Sequence, residues 1–228
     1  MKSKKPEASK KGILGISPLA LYVVACLIII CGSFVAQAAR SAEKTQGMQS
    51  KEIKKVETAI FAGGCFWCLE PSFDKLQGVA ETTVGYTGGS VVNPTYEQVS
   101  AGNTGHKEAI AVAYDPAKIS YEKLVQTFFE NIDPTDAGGQ FADRGPQYET
   151  AVFVESAEQR QIAEKIKAEM QQKLGKPIVT EILPATAFYA AEDYHQEYYE
   201  KNPLRYNLYK NGSGRPGKLE QLWGKQAK

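Results

Sequence analysis

The stretch Glu57-Thr58-Ala59-Ile60-Phe61-Ala62-Gly63-Gly64-Cys65-Phe66-Trp67-Cys68-Leu69-Glu70 organises the rest of the chain. Its first six residues read as a short apolar strand. Two glycines supply a tight turn. A helix then begins at a cysteine, with Phe66, Leu69, Phe73 and Leu76 at helical spacing. Pro71 falls inside that helix and permits a kink. A helix start offers unpaired backbone N–H groups and the positive end of the dipole. Both favour thiolate over thiol at Cys65, and the thiolate is the reactive form. Phe66 and Trp67 can line a small apolar pocket beside the sulfur. The reading is a nucleophile set next to a hydrophobic binding site.

Outward from this unit the pattern alternates strands and helices. Val79 to Tyr86 alternates in strand fashion and ends at Gly88-Gly89, and Glu108 to Tyr114 is a further strand stopped by Asp115-Pro116. Asn93-Pro94-Thr95-Tyr96 opens a short helix between them. Ser120 caps a helix running to Asn131. Residues 133–147 form a loop dense in Gly, Asp and Pro, and loops of this length are usually functional or disordered. A strand from Thr150 to Glu155 leads to an amphipathic helix, Ala157 to Leu174, ended by Gly175-Lys176-Pro177. A strand over 178–183, a helix over 190–201 and an irregular tail over 211–228 complete the expectation. This order suits an α+β fold, a two-layer ferredoxin-like plait with a mostly antiparallel sheet, packed helices and long loops. The folded domain is expected over 57–210.

The 228 residues carry a net charge of +1, unevenly placed. Lys2, Lys4, Lys5, Lys10 and Lys11 against Glu7 leave the remainder slightly acidic. No basic stripe marks a nucleic-acid surface. Gly12 to Ala39 contains no charged residue and is mostly apolar. Lysines leading into such a run mark an exported chain, with the lysines cytoplasmic. Residues 1–39 then serve as a signal peptide cleaved near Ala36-Gln37-Ala38, or as a membrane anchor if uncleaved. Val23-Val24-Ala25-Cys26 resembles a lipid-modification site, but apolar residues continue well past it. Residues 40–56 are polar and lysine-rich, a linker. The expected location is the cell envelope, periplasmic or anchored in the inner membrane, and the expected state is a monomer.

Once Cys26 and Cys31 are assigned to the N-terminal segment, the body keeps Cys65 and Cys68 alone. In an oxidising compartment an isolated Cys-x-x-Cys is more often a redox pair than a staple. A zinc site needs two further ligands, and His106 and His195 have no companion cysteines. No metal is expected. Taken alone, Glu108 reads equally well as an edge residue of its strand, and Tyr96 and Tyr148 as core tyrosines with satisfied hydroxyls. His106 and His195 read as structural.

Gly-Cys-Phe-Trp at 64–67 followed by Glu70, Gly85-Tyr86-Thr87-Gly88-Gly89, Asn93-Pro94-Thr95-Tyr96 and Gly105-His106-Lys107-Glu108 together resemble peptide methionine sulfoxide reductases of the A type. Tyr114-Asp115-Pro116, Asp133-Pro134, Gln147-Tyr148 and Ala191-Glu192-Asp193-Tyr194-His195-Gln196 followed by Asn202-Pro203 extend the resemblance in the same order, over about 56–210. The resemblance implies reduction of methionine S-sulfoxide in proteins and in the free amino acid, with no activity on the R epimer. Phe66 and Trp67 would hold the methyl group. Cys65 would attack the sulfoxide sulfur, and Glu108 would protonate the oxygen. Tyr96 and Tyr148 would bond that oxygen, with Asp143 in the same pocket. Cys65 then becomes a sulfenic acid. Many relatives resolve it with cysteines near the C-terminus, but none follows Cys68 here. Cys68 is therefore the expected resolving thiol, and an extracytoplasmic thioredoxin-like dithiol protein the expected reductant, with no bound cofactor. A thiol–disulfide oxidoreductase and an envelope module that binds Met-rich proteins are the alternatives.

Overall fold

The computed structural model describes residues 56–224. The signal or anchor expected over 1–39, and all but the last residue of the linker over 40–56, lie outside the described residues. Among the described residues no helix is long and apolar enough to cross a membrane.

A six-stranded sheet forms the centre, in the order β7-β6-β1-β3-β2-β8. Its strands are β1 (Glu57–Gly63), β2 (Val79–Thr87), β3 (Lys107–Tyr114), β6 (Thr150–Val154), β7 (Glu181–Pro184) and β8 (Tyr189–Ala190). Every pairing is antiparallel except β6 with β7. The period-two rule divides the strand residues between two faces. Ala59 and Phe61, Val84 and Tyr86, Ile110 and Val112, and Val152 and Val154 all enter the larger core. That face is covered by α1 (Phe66–Asp74), α3 (Tyr121–Glu130), α4 (Ala157–Leu174) and α7 (Arg215–Trp223). Phe61 lies at its centre, with its ring 5.3 Å from Phe73 and 5.0 Å from Phe128. Ile60, Ala62, Ala109, Ala151 and Phe153 point the other way, against Leu183, Ala185 and Phe188. The fold is thus mixed α+β with a mostly antiparallel sheet.

Local signals set several helix ends. Ser120 accepts the Lys123 N–H at 3.2 Å, and Ser156 accepts that of Gln159 at 3.1 Å. Gly175 ends α4 in the left-handed region, at φ 63°. Thr95 and Gln98 form a capping box at α2 (Tyr96–Ser100). The loop over 133–147 contains a two-residue hairpin, β4 (Gly139–Gln140) with β5 (Asp143–Arg144).

Two expectations for the C-terminal part are corrected. Residues 190–201 do not form one helix. The chain turns at Asp193–Glu197, and only α5 (Tyr198–Lys201) is helical. Glu197 adopts φ 51°, and its N–H donates to the Glu70 carboxylate at 2.9 Å, so a tertiary bond replaces the helical one. Residues 211–228 are not an irregular tail, because α6 (Pro203–Gly212) and α7 occupy most of the described part. Leu219 and Trp223 are four residues apart and both buried, and the Trp223 indole donates to the Ile132 carbonyl at 3.1 Å. That burial outweighs the glycine content of the segment. The domain therefore runs past residue 210.

Candidate active site

The turn before α1 is shaped by close packing. Gly64 lies at φ 79°, and a Cβ there would stand 2.5 Å from the Gln140 Cβ. Gln140 is fully buried, accepts the Asp133 N–H and donates to the Asp133 carbonyl, both at 2.8 Å. The turn and the long loop are thereby locked together. Cys65 is the N-cap of α1, and its side chain caps no backbone N–H. Both thiols are free and buried, at 6% exposure for Cys65 and 4% for Cys68.

Glu108 is not an edge residue. It lies near the start of β3, a central strand, on the same face as Ile110 and Val112. That alternation aims it beneath the N-terminus of α1, where its carboxylate accepts the Phe66 N–H at 3.1 Å. It is 2% exposed. Burial is the first cause that pushes its pKa up to about 8, against the Phe66 hydrogen bond, with Asp143 and Cys68 adding to the rise. A carboxyl so placed holds its proton at neutral pH.

An aromatic group surrounds the helix start. Phe66 is buried, and its ring lies 6.0 Å from Tyr86 and 5.1 Å from His195. Trp67 is half-buried, stacks on Tyr198 at 3.8 Å and donates its indole N–H to His195 Nδ1 at 3.0 Å. Burial lowers the His195 pKa, which fits an accepting, neutral ring. Its structural reading therefore stands. His106 is similar: Nδ1 accepts the Gly89 N–H, and Nε2 bonds the Val91 carbonyl, tying that loop to β3.

Tyr96 and Tyr148 reach this group from α2 and from the turn at Pro146–Tyr148. Burial pushes the Tyr96 hydroxyl up to about 12, with Glu108 and Cys65 next in effect. Burial likewise raises Tyr148, with Glu108, Tyr96, Asp143 and Cys65 as its charged neighbours. Asp143 comes from β5 and accepts the Tyr209 hydroxyl at 2.5 Å. All eight residues expected at the site, Cys65, Cys68, Phe66, Trp67, Tyr96, Glu108, Asp143 and Tyr148, therefore meet around the start of α1.

The expected thiolate at Cys65 is corrected for the site without substrate. Burial pushes the Cys65 thiol well up, and Cys68 and Glu108 reinforce this, while the Tyr209 hydroxyl opposes it. The lowered thiol is Cys68, at about 7. The helix dipole is outweighed because Cys65 is enclosed and faces acidic neighbours.

Several contributors escaped the sequence reading. Glu192 accepts the Tyr86 hydroxyl and the Tyr96 N–H, each at 2.9 Å, and so ties α2 to β2. Tyr206 and Tyr209 of α6 pack at Cys68 and Trp67. Arg215 of α7 reaches back to Gly63. The first lies in a motif already noted. Arg215 sits in the expected tail, and Tyr206 and Tyr209 lie just before it, beyond the last motif, so no local pattern announced them.

Glu70 is fully buried in α1, and burial raises its carboxyl to about 7. Its contribution to stability is complete below the ordinary carboxylate value and is lost as pH rises through about 7. Glu70→Gln keeps the acceptor for Glu197 and removes the ionisation. Urea unfolding is expected to show a gain of about 1–3 kcal/mol at pH 8 and no gain at pH 4. An equal change at both pH values contradicts this reading.

Among the described residues no group of three or more His, Cys, Asp or Glu side chains is arranged to hold a metal ion. A peptide methionine sulfoxide reductase family model matches residues 57–227. MsrA of Bacillus velezensis is 51% identical over 172 residues, covering 75% of this chain and 97% of that protein. MsrA of Bacillus subtilis is 49% identical over 173 residues, covering 75% and 98%. Among solved structures, methionine sulfoxide reductase A of Corynebacterium diphtheriae aligns with a TM-score of 0.60 and 36% identity, covering 68% of this chain and 78% of that one. Mxr1 of Saccharomyces cerevisiae in reduced form gives 0.63 and 35%, covering 67% and 88%. With a family model spanning the domain, relatives near half identity and solved enzymes of the same fold, the chain belongs to the MsrA-type peptide methionine sulfoxide reductases and is an oxidoreductase acting on methionine sulfoxide.

Proposed function

We propose that the enzyme reduces the S epimer of methionine sulfoxide, in proteins and in the free amino acid, through Cys65, Glu108 and Cys68. The observation that carries this reading is the buried Glu108 carboxyl bonded to the N–H of Phe66, the residue next to the nucleophile. Phe66 and Trp67 receive the substrate methyl, and Tyr96 and Tyr148 donate to the sulfoxide oxygen. Asp143 orders the pocket through Tyr209.

The raised pKa values of Cys65 and Glu108 support a resting site that stores the two protons the reaction needs. Cys65 sulfur attacks the sulfoxide sulfur, and the oxygen takes one proton from Cys65 and one from Glu108. It leaves as water, with a sulfur–sulfonium bond formed and Glu108 ionised. Water attacks the Cys65 sulfur, methionine departs, and Glu108 recovers its proton. Cys65 is left as sulfenic acid. Cys68 attacks it, water leaves, and a Cys65–Cys68 disulfide forms. The Cys68 N–H donates to the Cys65 carbonyl at 3.0 Å, so one helical turn keeps the two residues adjacent. A thioredoxin-like dithiol protein then reduces the bond.

The finer fold reading and the location belong to the same proposal. Numbering β1, β2, β3 and β6 from one to four, the strands lie in the order 4-1-3-2, with α1 and α3 as the intervening helices, which supports a ferredoxin-like plait. The lysines and apolar run before residue 40 support an exported, envelope-located enzyme.

A single-turnover experiment tests the chemistry. Pre-reduced protein without added reductant is mixed with S- or R-methionine sulfoxide in a peptide. Methionine from the S epimer alone, with a Cys65–Cys68 bond by mass spectrometry, is the expected result. No methionine from either epimer overturns the reading. Cys68→Ser is expected to give about one methionine per enzyme and then stall with thioredoxin as donor. Normal thioredoxin-driven cycling of that variant means Cys68 is not the resolving thiol.

A further inference from the structure

Lys107 is the first residue of β3, next to Glu108, and is 8% exposed. Successive strand residues point to opposite faces, so its side chain leaves the face that carries the Glu108 carboxyl. β1 separates β3 from β6 in the sheet, but it ends at Gly63, opposite Thr150. Lys107 reaches past that end. Its ammonium Nζ donates to the Glu149 carboxylate at 2.6 Å and to the Pro146 carbonyl at 3.4 Å. Tyr148 lies between these two acceptors along the chain, in the turn Pro146–Tyr148.

A single three-residue turn does not hold itself in place. Inside it the Tyr148 N–H donates to the Gly145 carbonyl at 3.0 Å, and the Glu149 N–H to the Pro146 carbonyl at 3.4 Å. Two tethers come from outside. Lys107 grips both ends, and the Gln147 amide donates to the Ser100 carbonyl at 2.9 Å. Ser100 ends α2, the helix that begins with Tyr96. Lys107 thus ties the strand of Glu108 to the turn of Tyr148, and Gln147 ties that turn to the helix of Tyr96. A lysine is seldom buried unless paired. Desolvation offsets much of the attraction in such a pair, so its clearest product is fixed geometry, through a short charge-assisted bond.

We propose that Lys107 is a positioning residue that holds the Tyr148 hydroxyl at the sulfoxide oxygen, by anchoring both ends of the turn that carries it. The inference rests on the reading that Tyr148 donates to that oxygen. Such a donor matters most as the S–O bond breaks, so its misplacement lowers the rate of methionine formation more than it weakens substrate binding. Lys107 acts through the turn and not through the acid. The groups that shift Glu108 are its burial, the Phe66 N–H, Asp143 and Cys68.

A double-mutant cycle tests this, read as the single-turnover rate of methionine formation from an S-sulfoxide peptide. Tyr148→Phe is expected to slow the step about 10²-fold. Lys107→Met is expected to slow it about tenfold, with half-saturation by the peptide little changed. In the Tyr148→Phe background the same substitution should cost less than about twofold, because the hydroxyl it displaces is gone. Lys107→Arg keeps donors for both acceptors and should restore most of the rate. The fall in rate with rising pH, set by Glu108, should stay in place in Lys107→Met. An equal loss with and without the Tyr148 hydroxyl overturns the proposal, and so does a displaced pH profile. The wild-type rate in Lys107→Met, with Tyr148→Phe slow, overturns this inference alone. Where Lys107→Met fails to fold, Glu149→Gln carries the same cycle with a smaller loss expected, and equal losses in both backgrounds again overturn the proposal. Tyr148→Phe at the wild-type rate overturns the donor role of Tyr148, and this inference with it.

Discussion

Cys65→Ser is expected to lose methionine formation from methionine S-sulfoxide by a factor on the order of 10⁴ or more. The expected loss is this large because the first bond formed is to the Cys65 sulfur. A serine hydroxyl in the same place is a far weaker nucleophile and cannot end as a sulfenic acid. The substitution changes one atom at an N-cap whose side chain caps nothing, so the fold should stand. Single-turnover methionine yield with matched circular dichroism measures both. Methionine at the wild-type rate would remove Cys65 from the mechanism and redirect attention to Cys68.

Glu108→Gln is the second large effect. The carboxamide can still accept the Phe66 N–H, so the helix start keeps its support. It has no acidic proton to give, and loss of a positioned general acid slows the step by about 10²–10⁴. The pH dependence follows from the direction of the shift. Burial raises the folded-state pKa to about 8, so the protonated acid is present below that pH and is lost above it. The wild-type single-turnover rate should therefore fall as pH rises through about 8, and the Gln variant should lack that limb. A Gln variant with the wild-type rate and limb would mean that another group supplies the proton.

The glutamates show how far the sequence reaches. Glu108 followed from its place in a motif, but its strand position alone left an exposed edge as an equal alternative. Its burial beneath the start of α1 became legible only when β3 was found between β1 and β2, with its period-two face turned to α1. Glu70 could be named within the same motif, but its burial and its bond to Glu197 depend on a segment 127 residues away. The thiols show the opposite case. A helix N-terminus is a local feature and points to a thiolate at Cys65. Enclosure and the neighbours Glu108 and Tyr209 are not local, and they reverse that expectation at rest.

Sequence alone determined the strand–turn–helix unit, the paired thiols, the helix caps at Ser120, Ser156 and Gly175 and the place of Phe66 and Trp67 beside Cys65, because these rest on short-range geometry and on residue chemistry. Tertiary structure alone decided the C-terminal helices, the Tyr209 and Arg215 contacts and the burial that raises the Cys65 thiol. The reason is physical. A nine-residue helix such as α7 is marginal in isolation and forms when Leu219 and Trp223 are buried. A thiol pKa is set by desolvation and by charges brought close in space, and neither can be read from spacing along the chain.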